Sequence, residues 1–215
     1  MVAPRTSTHA FSYDGKSPTA YKQFHWQNAQ GGFGRMVLGE SWVNHWGGHK
    51  SEATRGIFEP GAKEHLVMRG VKDLFGTTDV YEANPPADAT ILVRGQVLKG
   101  MTPDSPPADY KKRASGKKED QGINDPMQAI AWVREYKNDA GTTNRCLTTT
   151  MGAATDFLSE GLRRMVVNGV YWGLKMDVPA AADVTLTGEY HPTTYGFNGG
   201  KKGIKPADTA LKPAK

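Results

Sequence analysis

The stretch that most constrains the fold runs from Ala129 to Leu174. Two segments rich in apolar and β-branched residues, Ala129 to Tyr136 and Arg145 to Thr150, flank the turn-like Asn138-Asp139-Ala140-Gly141. That connection is short enough for an antiparallel hairpin. Met151-Gly152 ends the second strand, and the clearest helix of the chain follows. Thr155 or Asp156 is placed to cap it, and Leu158, Leu162, Met165, Val166, Val170 and Leu174 recur at helical spacing. Gly161 and Gly169 lie inside that helix at a propensity cost of about 1 kcal/mol each relative to alanine. Their presence predicts a close approach of helix to sheet. Strand, glycine turn and capped helix place ligands at strand C-termini in open α/β sheets, so an α/β fold is expected.

The remaining elements are shorter. Val2 to Thr8 suits an edge strand running into a turn at His9-Ala10, and Phe11 to Gln30 reads as a loop with at most a short helix. Arg35 to Trp42 suits a short helix, Thr54 to Glu59 a strand closed by Pro60-Gly61, and Glu64 to Arg69 a helical turn. Thr77 to Glu82 is expected to be extended, and Thr90 to Leu98 has the β-branched density of a buried strand. Residues 101–126 carry Pro103, Pro106, Pro107 and a lysine cluster, and read as a low-order insertion or lid. Residues 198–215 read as a disordered, lysine-rich tail.

Composition narrows the function classes. At 215 residues the chain fits one domain with a proper core. It has no apolar run of the roughly 18 residues that a membrane span needs, and Met1 to Phe11 has no apolar signal-like region. The lone Cys146 rules out an internal disulfide framework and any multi-cysteine zinc site, and it reads as small buried filler. The net charge of +5 is concentrated in the tail, where five lysines face one acid, so about +1 remains for the rest. Without interleaved aromatics or a recognised motif, nucleic acid is not an expected partner.

The chemistry gathers in Glu40 to Lys50, ESWVNHWGGHK, which holds Asn44, His45, His49, Trp42 and Trp46 around Gly47-Gly48. Paired glycines argue against a regular helix there, so the two histidines need not share a helical face. His9, at a strand-end turn, is available as an acid/base group or as a ligand. His9, His45, His49 and a carboxylate such as Asp79 have acceptable types for zinc or another first-row ion, although no spacing signature supports it. His65 reads as structural, and no role falls to His25 or His191. Gly31 to Gly34 follows no clear strand and lacks a Lys-Ser/Thr ending, so a phosphate cradle is disfavoured.

A family resemblance is carried by RTSTHAF at Arg5 to Phe11, GGFGRMVLGESWVNHWGGH at Gly31 to His49, and TDVY around Asp79. It continues through NDPMQAIAW at Asn124 to Trp132, TTTMGAATDFLSEGLRRMVVNGVYW at Thr148 to Trp172, and GEYHPTTYGF at Gly188 to Phe197. With these stretches the chain resembles the trehalose-utilisation (ThuA-like) family. The resemblance implies a three-layer, flavodoxin-like open sheet similar to class I glutamine amidotransferases, spanning 1–197. It also implies that His9 stands where an amidotransferase holds its cysteine nucleophile. The expected substrate is a carbohydrate, an oxidised (keto) glycoside or disaccharide in a catabolic route. His9 is then expected as acid/base with His45 or His49 as partner, Asp79 to orient one of them, and Asn44, Trp46 and Tyr81 to contact sugar. No cofactor is expected beyond a divalent metal that these side chains could take. Against the family pattern the domain is expected to be N-terminally truncated, which would leave sheet edges open and favour self-association. Two further readings stay open: a non-catalytic carbohydrate-binding or partner-docking module, and a metal-dependent hydrolase at the same loops.

Overall fold

The structure is a computed structural model that describes residues 1–5, 32–194 and 202–209. In chain order its strands are β1 (Val2–Pro4), β2 (Asn44–His45), β3 (Thr54–Phe58), β4 (Phe75–Gly76), β5 (Tyr81–Glu82) and β6 (Ala89–Val97). They continue with β7 (Lys111–Arg113), β8 (Asp120–Gly122), β9 (Gln128–Lys137) and β10 (Thr143–Thr149), followed by the helix α1 (Glu160–Gly173). Six strands form one sheet in the order β1-β10-β9-β6-β3-β4, while β2-β5 and β7-β8 form separate two-stranded ribbons. The fold is mixed α/β.

The expected hairpin is present as β9 and β10, paired antiparallel from Thr143↔Lys137 to Thr149↔Ala131. Only β1 and β10 run parallel within the six-stranded sheet; the other four pairings are antiparallel. A doubly wound sheet repeats strand and crossover helix, because parallel neighbours need a connection of about a dozen residues or more, usually helical. Among the described residues a helix of that size occurs once, as α1, and the chain between β3 and β4 holds only 3₁₀ turns at Ala62–Glu64 and Leu66–Met68. The repeated layering of a three-layer sheet is therefore not seen in the described part, and most strands return beside their predecessors.

Helix α1 packs where its glycines allow. A Cβ on Gly169 would lie 2.3 Å from Leu147 Cδ2 on β10, and one on Gly161 would lie 1.7 Å from the Asp73 carbonyl oxygen. Leu162, Met165 and Trp172 of α1 join Leu147, Ile130, Met151 and Met68 in the main core. On the opposite face of β10, Cys146 packs with Ala3 and Leu38, as small buried filler does. The helix start differs from expectation. Residues Ala154–Leu158 form a 3₁₀ turn, and Ser159, whose hydroxyl accepts from the Leu162 N–H at 3.4 Å, caps α1. Asp156 instead reaches back, accepting from the N–H groups of Gly152 (2.9 Å) and Ala153 (3.1 Å) at the turn that ends β10.

Residues 101–126 are also more ordered than their composition suggests. They fold into the β7-β8 ribbon, with Ala108 and Ile123 buried in the main core. Proline and lysine dominate the count, yet two apolar anchors suffice to tie the segment down. Arg35 to Leu38 lies in a π-helical turn over Gly34–Leu38. Among the described residues no helix is long and apolar enough to cross a membrane. Of the tail, residues 202–209 are described and carry a 3₁₀ turn at Pro206–Thr209. The rest of 198–215 beyond those positions, the loop 11–30, and His9 lie outside the described residues.

Candidate active site

The site grows from the β2-β5 ribbon, in which Asn44 faces Glu82 and His45 faces Tyr81. Beyond β2 the chain stays fastened to the residue that precedes β5, because the N–H groups of Trp46 and Gly47 both donate to Val80 O, at 2.8 and 3.1 Å. It then turns sharply: Ser51 and Glu52 donate their N–H groups to Gly48 O, and Glu52 accepts from the Gly48 N–H at 2.6 Å. The turn brings His49 back over the ribbon beside His45, with ring centroids 4.6 Å apart.

Both imidazoles meet one carboxylate. His45 Nδ1 lies 2.7 Å from Asp79 Oδ2, and His49 Nδ1 lies 3.1 Å from Asp79 Oδ1. An ionised carboxylate only accepts, so each Nδ1 carries the proton towards Asp79, while Nε2 of His49 is buried. Asp79 is itself held from behind. Arg5 Nη2 donates to Asp79 Oδ1 at 2.8 Å, and Arg5 Nη1 donates to the carbonyls of Asp79 (2.9 Å) and Thr150 (3.0 Å). The Arg5 guanidinium also stacks over Tyr81, 3.8 Å from the ring centroid. Arg5 adopts a left-handed backbone with φ of 43°, a conformation that costs a non-glycine residue about 1–3 kcal/mol. The segment that carries Asp79 is pinned by Thr54, whose hydroxyl donates to Thr78 O at 2.6 Å, and by Thr78, whose hydroxyl donates to Asp156 at 2.6 Å.

Position in the sheet follows from these bonds. Arg5 comes directly after β1 and Thr150 directly after β10, and the Arg5 guanidinium bonds both the Thr150 carbonyl and Asp79. The site thus sits beyond the C-terminal ends of the parallel pair. Gly152 makes that end compact: its φ is +124°, and a Cβ there would lie 2.6 Å from Pro4 Cβ.

Burial pushes the Asp79 carboxyl upward, but the Arg5 charge and hydrogen bonds from His45, His49 and Arg5 outweigh it, holding the group below the usual carboxylate range. Asp79 is thus a buried anchor that stays charged at neutral pH, its side chain 1% exposed. The His45 side chain is 37% exposed and that of His49 is 30% exposed, so the imidazoles form the accessible surface of the cluster.

The structure sorts the expected site residues. His45, His49, Asp79 and Tyr81 come together. Tyr81 is buried beneath Arg5 and edge-on to His45, so its ring is committed to holding the charged groups. Asn44 is exposed on the ribbon beside them. Trp46 is corrected: it is 0% exposed, and its indole N–H donates to Ile123 O at 2.7 Å. Neighbouring residues along an extended chain point to opposite sides, so a histidine that faces the site sends the adjoining tryptophan into the core. The tryptophan that borders the site is Trp42, edge-on to His45 at 5.6 Å and to Tyr81 at 6.3 Å. His65 is structural, its ring accepting from the Val67 N–H and packing edge-on to Trp172. His191 is exposed and pairs with Glu189. Arg5 was not singled out from the sequence. It lies in the quoted RTSTHAF stretch, but nothing local marks an arginine whose carboxylate partner is 74 positions away.

No protein-family model matches the chain, and no curated protein or solved structure matches it either.

Proposed function

We propose that this chain is a sugar-processing protein of the trehalose-utilisation (ThuA-like) kind, acting on an oxidised (keto) glycoside or disaccharide at the His45–His49–Asp79 cluster. The observation that carries the reading is the shared carboxylate: one buried, charged Asp79 orients two imidazoles at 2.7 and 3.1 Å. Such orientation fixes the tautomer and leaves Nε2 of His45 as a general base at an accessible surface. A ketone in a sugar ring acidifies its neighbouring C–H bonds, so an imidazole can take up a proton there and return one to a departing oxygen. His45 is the acid/base group of this proposal, His49 its partner, Asp79 the positioning carboxylate and Arg5 the counter-charge that keeps Asp79 ionised. Trp42 and Asn44, at the rim, offer the mixed apolar and hydrogen-bonding contacts that suit a sugar's two faces. A flavodoxin-like parentage belongs to the same proposal, with the parallel β1-β10 pair and α1 as its doubly wound portion and the antiparallel strands as an extension.

The test is a binding and turnover screen of disaccharides and their keto derivatives, with His45→Gln as control. A positioned imidazole acting as acid or base contributes about 10²–10⁴-fold, so the variant should lose activity on that scale. Equal turnover by wild type and His45→Gln would refute the assignment. Sugar binding without any turnover would leave a carbohydrate-binding module.

A further inference from the structure

The same cluster has the make-up of a metal centre. His45, His49 and Asp79 each offer one ligand atom, and these atoms lie within 4.8 Å of one another. We propose that His45 Nδ1, His49 Nδ1 and Asp79 Oδ2 bind one divalent first-row transition-metal ion of the zinc class. The inference rests on the reading of this cluster as the functional site, but not on the identity of the sugar.

Three features favour an ion here. The first is spacing. Ligand bonds of about 2.0–2.1 Å place neighbouring donor atoms about 3.0–3.4 Å apart around a zinc-class ion; His45 Nδ1 already stands 2.7 Å from Asp79 Oδ2, and one ligand atom from each of the three residues lies within 4.8 Å of the others. Small side-chain rotations would let an ion take the place of the two shared protons. The second is the outer shell. A ligating carboxylate is usually hydrogen-bonded from behind, and Arg5 holds Asp79 Oδ1 while its second nitrogen grips two carbonyls. That division leaves Oδ2, whose partner is His45, as the oxygen that Arg5 does not hold, while His49 Nδ1 lies against Oδ1. The third is donor type. Two imidazole nitrogens and one carboxylate oxygen, with positions left open, suit zinc, manganese, iron, cobalt or nickel, whereas calcium and magnesium prefer all-oxygen shells.

Water bound to a zinc-class ion has its pKa lowered to about 7, so an ion would supply a hydroxide base in the surface that the imidazoles line.

The experiment uses the whole chain, stripped with chelator and dialysed into metal-free buffer. Zinc is titrated in by calorimetry, bound metal is counted by elemental analysis, and cobalt is titrated as an absorption probe. The expected result is one tight ion per chain, with cobalt bands typical of mixed nitrogen and oxygen ligation. His45→Gln and His49→Gln should each abolish that tight site, and Arg5→Gln should weaken it by about 10–100-fold as an outer-shell change. His191→Gln, at an exposed site elsewhere, should bind as wild type does. Thermal melts in metal-free buffer establish that each variant is folded. Undiminished binding in both His45→Gln and His49→Gln would overturn the proposal, as would the absence of any tight site in wild type. A tight site without sugar turnover would instead overturn the carbohydrate reading alone, and turnover by the stripped protein without a tight site would overturn the metal reading alone.

Discussion

Removing the Asp79 carboxylate tests whether the cluster is the buried, charge-balanced unit described above. In Asp79→Ala the Arg5 guanidinium loses its Asp79 carboxylate partner, and His45 and His49 lose the group that fixes their tautomers. Breaking a buried ion pair by deleting one member costs about 3–5 kcal/mol. Arg5 keeps the Thr150 carbonyl, the backbone carbonyl at position 79 and its stacking on Tyr81. The lower end, about 3 kcal/mol, is therefore expected. For a chain of this size each kcal/mol moves Tm by about 2–4 °C, so the melting point should fall by about 6–12 °C. Pairing Asp79→Ala with Arg5→Met should recover part of the loss, because no guanidinium is then left facing the deleted carboxylate. The pH dependence has a definite sign. The folded carboxyl titrates below its unfolded value of about 3.9, so its contribution is present above that pH and lost as pH falls through the lower, folded value. The gap in Tm between wild type and Asp79→Ala should hold above about pH 5 and close on acidification. Melts followed by circular dichroism across that range, together with the double-variant cycle, make the measurement. A loss below about 1 kcal/mol, or single and double variants that add within about 0.5 kcal/mol, would refute a coupled buried pair.

Two further perturbations follow from the packing. Gly161→Ala would gain about 1 kcal/mol of helix propensity in an open setting. Here the new Cβ would lie 1.7 Å from the Asp73 carbonyl, so urea denaturation should show net destabilisation of about 1–3 kcal/mol. Trp46→Phe removes the indole donor from Ile123 O inside the core and should cost about 1–3 kcal/mol, with sugar binding unchanged in the folded fraction. A selective loss of sugar affinity at full stability would return Trp46 to the site.

The elements legible in the sequence are those whose signal is local. The β9-β10 hairpin and α1 follow from β-branched runs, a short turn and helical spacing that each lie within a few residues. Gly161 and Gly169 announced a close approach, and Asp73 and Leu147 supply it. Cys146 read as filler because an apolar strand with one small thiol needs no other account. His45, His49 and Asp79 could be named as candidates from residue type, since imidazole and carboxylate are the groups that move protons or hold metals near neutral pH.

What only the tertiary structure decided is how these pieces meet. The sheet is mostly antiparallel because strand order depends on connections whose return direction no residue pattern records. Residues 101–126 are tied down by Ala108 and Ile123, whose value lies in a core built from distant segments. Trp42 borders the site and Trp46 does not, a choice set by which side of the β2-β5 ribbon faces the core. Above all, the Arg5–Asp79 pair joins positions 74 apart, and His45 and His49 converge only because the Gly48 turn folds back over the ribbon. Residue type named the chemistry; long-range pairing, which local sequence does not encode, placed two imidazoles on one buried carboxylate.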